Sequence, residues 1–322
     1  MRRVAFGAAV VIALASATPL AAAPIPADDH PTLVGPAMGT TWRVALRGPV
    51  AGLTTGGVHR EIERVLADID RAASTWRDDS DVSRFNRAAP GEWIAIAPDL
   101  AAIVEVARRM HERSAGAFDI TVGPLVTLWR RGPSPTAAEL AAARGRVGLR
   151  FVEVRAAEDG RPAALRKTVP GVTLDLDGIA PGHAVDRIGA RLAALGSSGH
   201  LVELGGEVRA WGTRPDGGAW RVALRSLVSG RGEPRVVELA PGQALATSTL
   251  RDGGGAIDPR SGRPVQRAAR SVTVVAEVCA EADAWAVAAL VLGLEADDRG
   301  LVSGPSAPST PVDPPAATPK GP

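Results

Sequence analysis

Residues 174–196 read LDLDGIAPGHAVDRIGARLAALG, and they restrict the fold more than any other stretch of the chain. Val172 to Leu176 alternates apolar and polar residues and predicts a strand. Val185, Ile188, Leu192 and Leu195 then fall on one face of a helix, which Gly196 stops. Between the two lies Gly178-Ile179-Ala180-Pro181-Gly182, a turn with almost no side-chain bulk. Small residues let a ligand approach the main chain closely. Amide groups at a helix start attract phosphate, and free carbonyls can hold a hard cation. The plainer alternative is an ordinary strand-to-helix turn with an Asp cap. Of the flanking acids, only one of Asp175 and Asp177 is expected to reach the site.

Other segments carry both periods. TTWRVAL (Thr40 to Leu46), HLVELGGEVRAWG, WRVALR and SVTVVA read as strands. Val58, Ile62, Val65 and Ile69 form one helical stripe. Leu100, Ile103, Val104, Ala107 and Met110 form a second, which ends near Ser114–Gly116. Asp159–Gly160 between two short runs signals a hairpin. AEADAWAVAALVLG predicts a final helix, apolar nearly all round and therefore buried. Strands and helices mix without strict alternation, so the fold class is α+β, with mixed sheets and packed helices.

The first residues are not part of that fold. Arg2 and Arg3, an apolar run from Val4 to Ala17 too short to span a bilayer, and Ala21 to Ala23 make a secretory signal peptide over residues 1–23. The rest of a twin-arginine motif is missing, so ordinary secretion is expected, and no Cys follows the run to carry a lipid. Without Arg2 and Arg3 the chain has 35 basic and 35 acidic residues, which offers no basic field for nucleic acid or an anionic membrane. No membrane span is expected after signal removal. Cys279 is the single cysteine of the sequence, so there is no internal disulfide despite the export signal. Its apolar context predicts a buried, inert thiol. Five scattered His residues argue against a His-rich zinc site. The Pro-rich segment 302–322 cannot build a core and is expected to be disordered.

Four further stretches could carry chemistry. In GAFDITVGPLVTLW, Asp119 lies on a loop between apolar neighbours, before a turn at Gly123–Pro124, and needs a ligand or an Asx cap. Asp283 sits in the apolar last helix. There it is either paired or metal-bound, or it simply favours the helix dipole in the first turn. STWRDDSDVSRFN reads as a solvated loop and short turn, in which Trp76 anchors the loop or stacks a planar ligand. AIDPRSGRPV, with Asp258–Pro259 and Ser261–Gly262, is turn chemistry.

Taken in order, AMGTTW, STWRDDSDVSRFN, FDITVGPLVTLW, LDLDGIAPGHAVDRI, LVELGGEVRAWG, IDPRSGRPV and SVTVVAEVCAEADAWAVAALVLG resemble the sequence blocks of the ApbE family, the FAD:protein FMN transferases. The likeness runs from about Met38 to Gly293. It implies a T-fold-related flavin transferase domain over residues 34–301, exported to a periplasm and meeting the inner membrane through its acceptor. It implies a Mg²⁺-dependent enzyme that moves FMN from FAD to a Thr of an acceptor protein and releases AMP. By position, Met38, Trp76, Ala117, Phe118, Asp119, Asp177, His183 and Ile257 would line the FAD site. Ala180, through its carbonyl, and Asp283 would hold the metal, with Val287 at the position of a further ligand.

The chain also departs from the family pattern. Pro181 replaces a Lys, Asp177 a Gly, His183 a Tyr, Glu203 an Asn and Glu207 an Asp. Val287 has no ligand atom, and the family His falls at about Gly255. His183 and Asp258 are therefore the candidate bases. Two alternatives to transfer are a degenerate periplasmic protein that binds or delivers FAD, and a hydrolase that splits FAD into FMN and AMP.

Overall fold

The computed structural model describes residues 31–132, 134–224, 235–250, 256–266, 271–294 and 301–303. The signal peptide expected at 1–23, the position of the family His and the tail after Ser303 lie outside the described residues.

The central sheet is built from β1 (Thr32–Ala37), β2 (Thr40–Leu46), β6 (His200–Leu204), β7 (Glu207–Trp211), β10 (Ala244–Thr249), β13 (Ser271–Ala276) and β14 (Leu301–Ser303), in that spatial order. Its neighbours run antiparallel except β13 and β14, which are parallel. β14 extends to Ser303, two residues into the segment read as tail. Helices α1 (Thr55–Ala73), α3 (Pro98–Arg113), α6 (Ala180–Ala194) and α7 (Cys279–Leu292) pack together and share a core with the sheet. On β2, Trp42, Val44 and Leu46 belong to that core, whereas Ala45 belongs to the core under a hairpin of β8 (Trp220–Leu224) and β9 (Arg235–Leu239). β6 is buried along its whole length, with Leu201 toward the hairpin core and Val202 toward the helical one. This is why HLVEL reads as a continuous run rather than an alternating one.

A smaller sheet orders β3 (Ile94–Ala95), β5 (Ala164–Lys167) and β4 (Val152–Arg155). The hairpin turn between β4 and β5 lies where Asp159–Gly160 placed it, and both residues have positive φ. Three short helices were not read from the sequence: α2 (Asp81–Arg87), α4 (Gly123–Arg130) and α5 (Ala137–Arg144). In α2 the Ser80 hydroxyl accepts from the Ser83 amide, and Val82 and Phe85 are buried, so residues 81–87 of the stretch expected to be a solvated loop and short turn are instead a capped amphipathic helix of about two turns. In α4 the Gly123–Pro124 pair starts a helix rather than a turn, because Pro lacks only an amide that the first turn leaves unpaired anyway.

The strand expected over Val172–Leu176 joins no ladder. It keeps its alternation, with Val172, Leu174 and Leu176 buried. Its backbone groups are bonded by side chains and a loop instead. The Leu174 amide donates to Asn86 Oδ1 at 2.7 Å, and Asn86 Nδ2 donates back to the Leu174 carbonyl at 3.0 Å. Lys167 Nζ donates to the Val172 carbonyl at 2.8 Å and to the Asn86 carbonyl at 3.0 Å. The Asp175 amide donates to the Ile120 carbonyl at 2.8 Å. One Asn side chain thus replaces a partner strand. Asn86→Ala is expected to cost about 2 kcal/mol in urea denaturation, because it leaves the buried Leu174 amide without its acceptor. A change below a few tenths of that would show the segment to be held by packing alone.

His200, buried at the start of β6, accepts from the Ser197 hydroxyl at 3.0 Å, donates through Nε2 to the Gly189 carbonyl at 3.1 Å and stacks on Trp211. Burial pushes its pKa down to about 4, against the Gly189 hydrogen bond. The folded state therefore favours the neutral ring. Stability should be full above the unfolded pKa near 6.5 and fall as the pH drops from there toward 4, by on the order of 3 kcal/mol in all. Unfolding free energies measured across that range should slope in the native protein and flatten in His200→Asn. An unchanged slope in the variant would assign it to other groups.

Candidate active site

Six stretches meet around a cavity of about 610 Å³. They are the loop after α3, helix α4, the turn before α6, Leu250 after β10, the hairpin of β11 (Ile257–Asp258) and β12 (Arg263–Pro264), and Val287 of α7. Phe118, Val126, Trp129, Ile257 and Val265 make its apolar walls. Asp119, Asp175, Asp177 and Arg130 supply its charge.

Each wall has a local cause. α3 ends at Ser114, and Ala115 and Gly116 follow with positive φ, which turns the chain toward the cavity. Asp119 then caps the short turn Ile120–Val122: its Oδ1 accepts from the Thr121 amide at 2.8 Å and the Thr121 hydroxyl at 2.6 Å. Its Oδ2 lies 3.4 Å from His111 Nδ1. Asp119 is thus a cap and a cavity residue at once. From the N-cap Val122 along α4, Val126, Trp129 and Arg130 follow helical spacing, and all four line the cavity. Trp129 Nε1 donates to the Gly262 carbonyl at 2.8 Å and Arg144 Nη2 to the Arg260 carbonyl at 2.9 Å, which fastens the β11–β12 hairpin to α4 and α5.

Both Asp175 and Asp177 line the cavity, so the expectation that only one would reach it is corrected: positions two apart on an extended segment share a face. Burial, and then the charge of Asp177, push the Asp175 carboxyl above its ordinary range. Asp177 is exposed and lies 3.5 Å from Arg130 Nη2.

Immediately after these acids the bare turn meets α7. A Cβ on Gly178 would stand 2.9 Å from Val287 Cγ2. One on Gly182 would stand 2.6 Å from the Cys279 carbonyl oxygen. The absence of side chains therefore has a packing cause: it lets α6 start against α7. The Gly182 amide donates to Asp283 Oδ2 at 3.1 Å. Asp283 is 3% exposed, one turn from Val287 along α7. Its pKa is pushed up to about 7, by burial first and then by the charges of Asp177 and Asp186, against the Gly182 hydrogen bond. Burial, and then the charge of Asp283, also drive Glu207 well above its ordinary range, and burial raises Glu203. Cys279 is buried with its pKa raised by burial, the inert thiol expected.

Asp283 is a buried carboxylate in acidic surroundings, bonded to the start of α6 through the Gly182 amide, and a buried carboxylate is the kind of donor a magnesium ion takes. Mg²⁺ takes one or two carboxylates and keeps several waters, so the lack of a ligand atom on Val287 does not exclude it. Among the described residues no group of three His, Cys, Asp or Glu side chains could hold a metal.

Of the residues expected at the FAD site, Ala117, Phe118, Asp119, Asp177 and Ile257 come together in the cavity, with Val287 from the expected metal set. Met38 and Trp76 do not line it. Met38 is at the β1–β2 turn with φ 48°, and Trp76 is 91% exposed. The two candidate bases also face elsewhere. Buried His183 contacts Asp99 Oδ1 through Nε2 at 2.8 Å, and Arg187 joins the same carboxylate at 3.1 Å. Burial raises Asp99, but His183 and Arg187 outweigh it and hold that carboxyl below its ordinary range. Asp258 accepts from the Arg260 amide and guanidinium at 2.9 Å. There too burial is outweighed, by Arg260, and the pKa is lowered. Sequence reading missed Trp129 and Arg130, although the i, i+4, i+7 spacing from Val122 was available once Gly123–Pro124 is taken as a helix start.

The profile of the ApbE family matches residues 38–303. The chain belongs to the ApbE family. A relative from Vibrio cholerae named FAD:protein FMN transferase is 35% identical over 309 residues, 90% of this chain and 89% of the relative. One from Escherichia coli with the same name is 32% identical over 291 residues, 84% of this chain and 82% of the relative. Among solved structures, the flavin transferase ApbE of Vibrio cholerae superposes with a TM-score of 0.73 at 33% identity, covering 84% of this chain and 89% of that one. The apo flavinyl transferase ApbE of Pseudomonas stutzeri gives a TM-score of 0.73 at 34% identity, covering 85% and 86%. The α+β architecture expected from the sequence is thus that of known ApbE structures.

Proposed function

We propose that this chain is an FAD:protein FMN transferase, which moves the FMN part of FAD to a threonine of an acceptor protein and releases AMP. The observation that carries the reading is the convergence of Ala117–Asp119, Asp175–Gly178, Ile257 and Val287, from four separate family blocks, on one cavity. The apolar walls at Phe118, Trp129 and Ile257 suit an aromatic ring system, and the bare turn admits a phosphate group close to the main chain.

In the reaction the acceptor hydroxyl oxygen forms a bond to the FMN phosphorus, the bond from that phosphorus to the bridging oxygen breaks, and AMP leaves with that oxygen. Asp283 and the Ala180 carbonyl would hold Mg²⁺, which when bound would supply positive charge against the phosphates. The hydroxyl proton needs an acceptor within reach. His183 and Asp258 are occupied by Asp99 and by Arg260. The role then falls to a carboxylate of the cavity, and Asp175 suits it best: one of its oxygens accepts only the Asp177 amide at 3.1 Å, and its raised pKa makes it the stronger base.

Residues 1–23 act as the export signal, and the enzyme works in the periplasm, at the inner membrane where its acceptor lies. Among the described residues no helix is long and apolar enough to cross a membrane. Incubation with FAD, Mg²⁺ and a threonine-containing acceptor should release AMP and add the FMN mass to the acceptor in mass spectrometry. AMP without labelling would make the protein a hydrolase. Bound FAD with neither product would make it a carrier.

A further inference from the structure

Of the residues lining the cavity, Arg130 is the sole cation among those described, set against Asp119, Asp175 and Asp177. A cavity with this balance repels a dianionic ligand unless its one positive group is free to meet it. Arg130 ends α4, and its guanidinium lies 3.5 Å from Asp177 Oδ2 across the cavity. Each partner stays about two-thirds exposed, so the pair is weak and exchangeable. Asp119 is already committed to Thr121 and His111, and Asp175 carries the Asp177 amide. Among the described residues, the side chain that holds Arg130 is that of Asp177. The charge of Arg130 also reaches Asp175 and moderates the rise of its pKa.

We propose that Arg130 is the diphosphate-binding residue of this chain and that Asp177 is its resting partner, displaced when the ligand's diphosphate enters. A planar guanidinium matches two phosphate oxygens at once, which an exposed carboxylate in water rivals poorly. Asp177 then serves selectivity: only a ligand with phosphates can compete for Arg130 and gain its contact. This rests on the transferase reading, since it takes FAD as the ligand.

The test measures dissociation constants of FAD, riboflavin and adenosine by fluorescence and calorimetry with the full chain. Native protein that fails to bind FAD would overturn the functional reading itself, separately from this proposal. With FAD bound by the native protein, Arg130→Ala should raise its dissociation constant about tenfold and leave riboflavin and adenosine unchanged. Arg130→Lys should recover most of that loss. Asp177→Asn should tighten FAD by about threefold, because Arg130 no longer has to be released. Equal weakening of all three ligands by Arg130→Ala, no effect on FAD, or weaker FAD binding in Asp177→Asn would each overturn the proposal. Arg130 is exposed and, among the described residues, its side chain is bonded to Asp177 alone, so a melting curve like that of the native protein is expected for every variant.

Discussion

Asp283→Asn is expected to cut FMN transfer about a hundredfold while leaving the protein as stable as the native chain or more so. The side chain is buried, receives the Gly182 amide and faces the charges of Asp177 and Asp186. A buried carboxylate in such surroundings destabilises the metal-free fold. Asn keeps an oxygen for the Gly182 amide and removes the charge, so the packing of α7 on α6 is retained. What the variant loses is the carboxylate proposed to hold the cation. A hundredfold corresponds to about 2.7 kcal/mol of transition-state stabilisation, within what a Lewis-acid metal supplies. Rates of AMP release at saturating FAD, with thermal melts in a chelator, read the two effects apart. Activity within a few-fold of native would remove Asp283 from the metal site. A large fall in melting temperature would make its role structural.

Gly182→Ala should have the largest effect on stability, about 3 kcal/mol, and should lower activity with it. The added methyl would meet the backbone of α7 at three points: the Cys279 carbonyl oxygen at 2.6 Å, its carbon at 2.8 Å and Ala280 Cα at 2.8 Å. That backbone cannot retreat easily. The Asp186 carboxylate accepts both the Cys279 and the Ala280 amides at 3.0 Å, so the first turn of α7 is capped from α6 itself. The two helices must separate, and the Gly182 amide then leaves Asp283. Denaturant midpoints check the first effect and FAD turnover the second. A midpoint close to native would show that the helices can shift at little cost.

The elements legible in the sequence were those whose periodicity is local. The stripes of α1, α3 and α6, the all-apolar α7 and the runs of β2, β6, β7 and β13 need only their own residues to declare a buried face. The bare turn and its acids were legible too, because a Gly-Ile-Ala-Pro-Gly segment between a strand pattern and a helix pattern has few structural uses. α4 was hidden by its own beginning: Gly123–Pro124 suits a turn and a helix start equally well, and only the packing of Val126 and Trp129 decides.

What the tertiary structure decided were partners far apart in the chain. Asn86 takes the place of a strand for Leu174, Asp186 caps α7, and Asp99 claims His183 away from the cavity. No local pattern encodes these pairs, since each depends on how two distant elements are brought face to face. Hydrophobic spacing along the chain determined which faces are buried and hence the longer helices and about half of the strands, while the family was legible in the order of its motif blocks. Which polar groups meet at the site followed from the packing of those faces, because a buried carboxylate or amide takes whichever partner the fold sets within about 3 Å.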